Sequence, residues 1–223
     1  MTGFPGWSCL APDLWGPTRG DRPLVATMGV APYADDLVAL LDLLKIRRTV
    51  VCGLSMGGYV AFELLRRYPE RVQALALFST RAEADSPEGK ANRDATVGLV
   101  QRDGLGALAD AMLPKLLGSN PSPDVVSAVR AMITGSSTAG ILGAIRAMRN
   151  RRDATPLLST ISVPTLVLGG QEDTLFPAGT SMGLAARIRN ARLVEVRQAG
   201  HLAPLEQPGA VNEALTNFLM SLA

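Results

Sequence analysis

The sequence predicts an α/β fold, a mostly parallel sheet with helices on both faces and an all-helical insertion. Three observations predict it. Short β-branched or apolar runs alternate with longer amphipathic stretches, as a parallel sheet covered by helices requires. The alternation stops between residues 80 and 156, where only helical spacing persists. A Gly-x-Ser-x-Gly phrase sits where one apolar run gives way to a helical pattern.

Candidate strands are residues 8–11, 49–53, 72–78, 165–169 and 192–196. Helical spacing over 34–44, 56–68, 177–188 and 209–222 links them. Within the insertion, helices are expected at 90–102, 105–117, 124–133 and 138–148, punctuated by Gly104, Gly118, Pro121, Pro123 and Gly135. Three segments follow: core at 1–79, a helical cap at 80–156, and core again at 157–223. The cap methionines Met112, Met132 and Met148 read as core filler before they read as substrate contacts.

Composition removes several classes of function. Lys plus Arg number 22 against 20 for Asp plus Glu, a net charge of +2, which gives no electrostatic reason to expect nucleic acid or an acidic membrane surface. The doublets Arg47-Arg48, Arg66-Arg67 and Arg151-Arg152 lie at predicted element ends and read as solvated or helix-terminal charge. Two cysteines, Cys9 and Cys52, make no disulfide scaffold, and one histidine is too few for the usual zinc sites. There is no run of 18 apolar residues, and the N-terminus has neither a basic nor an apolar leader pattern, so a soluble cytoplasmic protein is expected.

A bare Gly-x-Ser-x-Gly arises by chance in a chain of this length on the order of one time in ten. Its setting carries the weight. Gly53-Leu54-Ser55-Met56-Gly57 follows a buried-strand pattern and opens an amphipathic helix. A serine hydroxyl becomes a nucleophile when a tight turn presents it to a base, and the turn leaves room only for small residues such as Gly53 and Gly57 beside it. The helix then aims its free N–H groups, Met56 first, at the place where an oxyanion would form.

The only histidine, His201, follows the strand at 192–196 on a Gly- and Pro-bounded loop, at the sheet edge where open α/β sheets build their sites. A base of this kind needs a carboxylate to fix its tautomer. Asp173 lies just past the strand at 165–169, where it also reads as a turn or N-cap residue. Glu172 and Asp85 are weaker rivals. The chain order Ser55, Asp173, His201 is the one expected of an α/β-hydrolase.

Together these residues resemble the α/β-hydrolase superfamily over nearly the whole chain. Ala11-Pro12-Asp13-Leu14-Trp15-Gly16 resembles the family's fourth strand and the turn after it, and Gly53 to Gly58 its nucleophile elbow. Arg67 to Val72 resembles the next loop and Ala199 to Pro208 the histidine loop. The cap and the elbow sequence are most similar to small bacterial esterases, 3-oxoadipate enol-lactonases and cofactor-free haloperoxidase or perhydrolase relatives. The resemblance implies Ser55 as nucleophile, His201 as base, Asp173 as its orienter and the Met56 N–H as an oxyanion donor.

The chain departs from the family at its start, where three strands and a helix normally precede the segment matching Ala11 and only ten residues stand here. Thr2-Gly3-Phe4-Pro5-Gly6 resembles the family's H-G-x loop with Thr for His, which would make the Phe4 N–H the second donor; a plain Gly/Pro turn is the alternative. A core truncated in this way leaves a gap in the sheet, or sets the Cys9 strand against the Cys52 strand. An open apolar edge is also a template for association, so a homo-oligomer is expected as one outcome. The implied activity is hydrolysis of a small carboxylic ester or lactone through an acyl-enzyme, with no metal or cofactor. Perhydrolysis, or a non-catalytic ligand-binding or partner-regulating role, are the alternatives.

Overall fold

The computed structural model describes residues 4, 6–14 and 29–222. Helix α1 (Ala31–Leu43) leads to strand β1 (Thr49–Leu54), helix α2 (Met56–Arg67), a 3-10 turn at Pro69–Arg71 and strand β2 (Val72–Phe78). Three helices follow, α3 (Pro87–Leu116), α4 (Pro123–Thr134) and α5 (Thr138–Arg149), then the single turn α6 (Thr155–Leu158). Strand β3 (Thr165–Gly170), helix α7 (Ala178–Ala186), strand β4 (Ala191–Val196), the single turn α8 (Ala203–Glu206) and helix α9 (Pro208–Met220) complete the order.

The four strands pair in chain order and every pair is parallel. Each parallel step needs a crossover, which α2, the α3–α6 stretch and α7 supply. All four C-terminal ends therefore lie on one rim. Strand β2 is covered on both faces, which is why its sequence reads as a continuous apolar run. Val72, Leu75 and Leu77 join Phe62 and Leu64 of α2 in one buried cluster, while Ala74, Ala76 and Phe78 meet Val211 and Phe218 of α9 in another. Burying side chains as large as Phe62 and Leu64 contributes roughly 1.5–3 kcal/mol each.

Local signals set the helix ends. Serine side chains cap α3, α4 and α5: Ser86 accepts from the Gly89 N–H, Ser122 from Val125 and Ser137 from Gly140. The chain bends inside α3 at Gly104, with φ 78° and ψ −172°, at the break expected between two helices. Helix α1 starts earlier than its periodicity predicts because Pro32 fits a first turn, where its missing N–H costs nothing. Among the described residues no single helix is long and apolar enough to cross a membrane.

Four expectations fail. Residues 8–11 form no strand and lie exposed, because an isolated run has no ladder to join and pairs with neither edge of the sheet. Thr2, Gly3, Pro5, Trp15 and Gly16 fall outside the described residues. Strand β1 thus pairs only with β2 among those residues, and Cys52 is exposed rather than buried; it and Cys9 are free thiols. Met132 is also exposed, at 63%, whereas Met112 and Met148 pack against the α3–α5 apolar cluster.

Arg151 is the fourth, a buried cation rather than a solvated one. Its guanidinium lies 4.2 Å from the Tyr59 ring centroid, donates to the Glu83 carbonyl and meets Asp85 at 2.9 Å. Arg81 and Arg93 bind the same Asp85 carboxylate at 2.6 and 3.2 Å. Three cations from separate elements thus converge on one buried anion. Burial opposes ionisation of Asp85, but Arg151 above all, and then Arg93, hold its carboxyl below the ordinary aspartate range. A depressed carboxyl stabilises the fold above its unfolded-state value and loses that contribution as pH falls through the folded one. Asp85→Asn should therefore cost about 3 kcal/mol in urea unfolding at neutral pH, and the acid-side loss of stability should be smaller in the variant than in the parent.

Candidate active site

Ser55 occupies the single residue between β1 and α2, at φ 52° and ψ −112°. A left-handed backbone in a non-glycine residue is strained, and local packing over-determines it here. The Ser55 N–H donates to the Phe78 carbonyl at 2.9 Å, extending the ladder to β2. The Ser55 carbonyl accepts the Thr80 hydroxyl at 2.8 Å and the Gly58 N–H at 3.0 Å. Its own hydroxyl caps no helix N–H, so the Oγ is not consumed in holding the turn.

The crowding around the turn falls partly where the motif predicts it. A Cβ at Gly53 would strike the Gly57 carbonyl, and one at Gly58 would strike the Thr80 side chain. A Cβ at Gly57 would meet nothing within 4 Å. Gly53 and Gly58, rather than Gly53 and Gly57, are the residues that steric contact requires. The reason is tertiary: Thr80 comes in from the end of β2 against the first turn of α2.

Asp173 follows β3 and is buried, with both its carboxylate oxygens engaged. Oδ1 accepts the N–H groups of Leu175 and Phe176, each at 2.9 Å, and Oδ2 lies 2.8 Å from Nδ1 of His201. The turn and orienting readings of Asp173 thus both hold, one oxygen for each. His201, 2% exposed, has its ring 5.3 Å from that of Phe176. With a carboxylate at Nδ1, the proton sits on Nδ1 and Nε2 is left as an acceptor. The rival carboxylates are occupied elsewhere: Asp85 by three arginines and Glu172 by the Ser119 N–H at 2.6 Å, which, with the Ser119 side chain, holds the Glu172 carboxyl below its ordinary range.

Ser55, Asp173 and His201 therefore stand on segments leaving β1, β3 and β4 at one rim. No hydrogen bond joins Ser55 to His201 among the described residues, a separation common in sites without ligand. Met56 opens α2, where its N–H has no partner within the helix. Phe4 is half-buried in a tight turn, its carbonyl accepting the Trp7 N–H at 3.0 Å with Gly6 at φ 78°.

A four-stranded parallel sheet sandwiched by helices, with a serine turn and a His–Asp pair on one rim, defines an α/β-hydrolase class of protein. Residues 3–208 match the family model described as "alpha/beta hydrolase fold", and the chain belongs to that family. It is 30% identical over 209 residues to the 3-oxoadipate enol-lactonase 2 of Acinetobacter baylyi, spanning 89% of this chain and 74% of that one. A pimeloyl-(acyl-carrier protein) methyl ester esterase of Neisseria meningitidis is 29% identical, over 96% of this chain and 83% of its own length. Among solved structures, a thermophilic esterase from Thermogutta terrifontis superposes with a TM-score of 0.85 and 38% identity, over 88% of this chain and 74% of that one. The enol-lactonase from Burkholderia xenovorans superposes with a TM-score of 0.84 and 30% identity, over 93% and 79%.

The steric map makes a test of the turn. Gly53→Ala should destabilise the protein by about 1–3 kcal/mol in chemical unfolding, because backbone must move to admit the methyl group. Gly57→Ala should leave stability within about 1 kcal/mol of the parent, since its methyl enters open space on a helix.

Proposed function

We propose that the chain is a serine hydrolase that cleaves a small carboxylic ester or lactone through an acyl-enzyme. The observation that carries this reading is the strained Ser55, with its hydroxyl unspent, on the same rim as a buried His201–Asp173 pair. The relatives named above, two of them enol-lactonases and two esterases, agree with it.

In the proposed reaction the Ser55 Oγ attacks the carbonyl carbon while its proton passes to His201 Nε2. The Met56 N–H at the head of α2 and the Phe4 N–H receive the oxyanion. Collapse breaks the C–O bond, and the leaving alkoxide takes the proton from Nε2; in a lactone it stays attached as a hydroxyacyl group. Water then attacks the acyl-enzyme, gives its proton to the same nitrogen, and the acid leaves as Ser55 is restored. Asp173 steadies the imidazolium through Nδ1. No metal or cofactor enters the scheme. Residues 80–156 act as the cap over this rim, and the free thiols Cys9 and Cys52 suit a reducing, cytoplasmic setting.

A fluorophosphonate probe should label Ser55, identified by peptide mapping, and Ser55→Ala should abolish the label. Label elsewhere with Ser55 unmodified overturns the nucleophile. Hydrolysis of short-chain esters should be lost in His201→Ala, which removes the acceptor of the serine proton. Parent-like turnover in that variant removes His201 as the base, and turnover that requires added peroxide identifies perhydrolysis instead.

A further inference from the structure

The C-terminal end of α3 is fastened to the two loops that carry Asp173 and His201. Glu206, in α8, accepts the Gly200 N–H with Oε1 at 2.9 Å and the Gly118 N–H with Oε2 at 2.6 Å. Glu172 accepts the Ser119 N–H at 2.6 Å. The Leu202 N–H donates to the Leu116 carbonyl at 3.1 Å, and the Thr174 hydroxyl to the Lys115 carbonyl at 3.3 Å. Both neighbours of Asp173 and both neighbours of His201 are thus tied to the segment 115–119, either directly or, at Gly200, through Glu206.

The fit is close as well as polar. A Cβ on Gly200 would come within 2.5 Å of the Gly118 nitrogen, and one on Gly118 within 2.8 Å of Glu172 Oε2. Helix polarity alone argues against this placement, because the C-terminal end of a helix favours cations and repels carboxylates. Two glutamates there are held by what they bind: the Gly118 and Ser119 N–H groups, which lie past the last helical residue of α3.

We propose that Glu206 and Glu172 are positioning residues, which act through backbone N–H groups to hold the His201 and Asp173 loops in register with the cap. This rests on the hydrolase reading for its catalytic consequence, but not for its structural one. Glu206 must use both oxygens, one on each side of the contact. Glutamine offers a single acceptor oxygen, so Glu206→Gln frees one of the two N–H groups and sets its own amide against it. Glu172 receives both its donors from one residue, Ser119, whose hydroxyl can turn to accept from an amide, so glutamine can serve there.

The test compares Glu206→Gln, Glu206→Ala, Glu172→Gln and Glu172→Ala by two readouts, ester kinetics and NMR of the imidazole N–H. His201 is the only histidine, so its Nδ1–H signal, bonded to Asp173, is unambiguous. Both Glu206 variants and Glu172→Ala should lower kcat by about a hundredfold, the scale of an ångström-level misplacement, with KM changed less than about threefold. The Nδ1–H signal of those three should broaden or shift. Glu172→Gln should match the parent in both readouts. If Glu206→Gln lowers only the melting temperature, with kcat and the Nδ1–H signal unchanged, the residues are structural braces and the proposal fails. If the parent hydrolyses no ester yet Glu206→Gln still perturbs the Nδ1–H signal, the hydrolase reading fails and the positioning role stands.

Discussion

The close approach of strand β1 to the first turn of α2 is the constraint on which the rest of the site depends. Gly53 lies so near the Gly57 backbone that no side chain fits between them, and this closeness turns the chain through a single residue, Ser55, in a left-handed conformation. Such a backbone costs on the order of 1–3 kcal/mol. It persists because the Phe78 carbonyl and the Thr80 hydroxyl hold Ser55 at both its N–H and its C=O. Relaxing the turn would break two hydrogen bonds to the end of β2.

The second half of the rim is organised by carboxylates that each do two things. Asp173 closes its own turn with one oxygen and faces His201 with the other. Glu206 reaches the His201 loop with one oxygen and the end of α3 with the other. Asp85 collects three arginines, from the loop after β2, from α3 and from the segment after α5, and so ties the long helical stretch to the sheet on its other side. A buried anion serving two or more partners is costly to disturb, since removing it leaves every partner unpaired. The helical stretch is therefore anchored at two places by charge as well as by apolar contact.

What the sequence made legible was local. The strand at 72–78, the break at Gly104 and the serine turn each follow from residues within a few positions of one another. Asp173 and His201 could be picked out because each stands just past a strand in a chain with one histidine. What stayed hidden was set by distant partners. Gly58 is crowded only because Thr80 arrives from β2, and Arg151 is buried only because Asp85, Glu83 and Tyr59 surround it. Glu206 stood in the sequence only as part of the stretch resembling the histidine loop; its partners are Gly200 nearby and Gly118 just past α3. The run at 8–11 has the composition of a strand, yet composition does not supply a neighbour to pair with.

The hydrogen bonds of Ser55 show which neighbours hold the serine turn. Among the described residues β1 pairs with β2 alone, and Cys52 is exposed. Every hydrogen bond that fixes Ser55 comes from the inner side, from Phe78 and Thr80, or from within α2 through Gly58. The apolar side chains of α2 pack against Leu75 and Leu77 of β2, and Val51 of β1 joins the same cluster. The serine turn is thus carried by β1, β2 and α2 together: the Gly53–Gly57 approach sets its path, and Phe78 and Thr80 fix its N–H and its carbonyl.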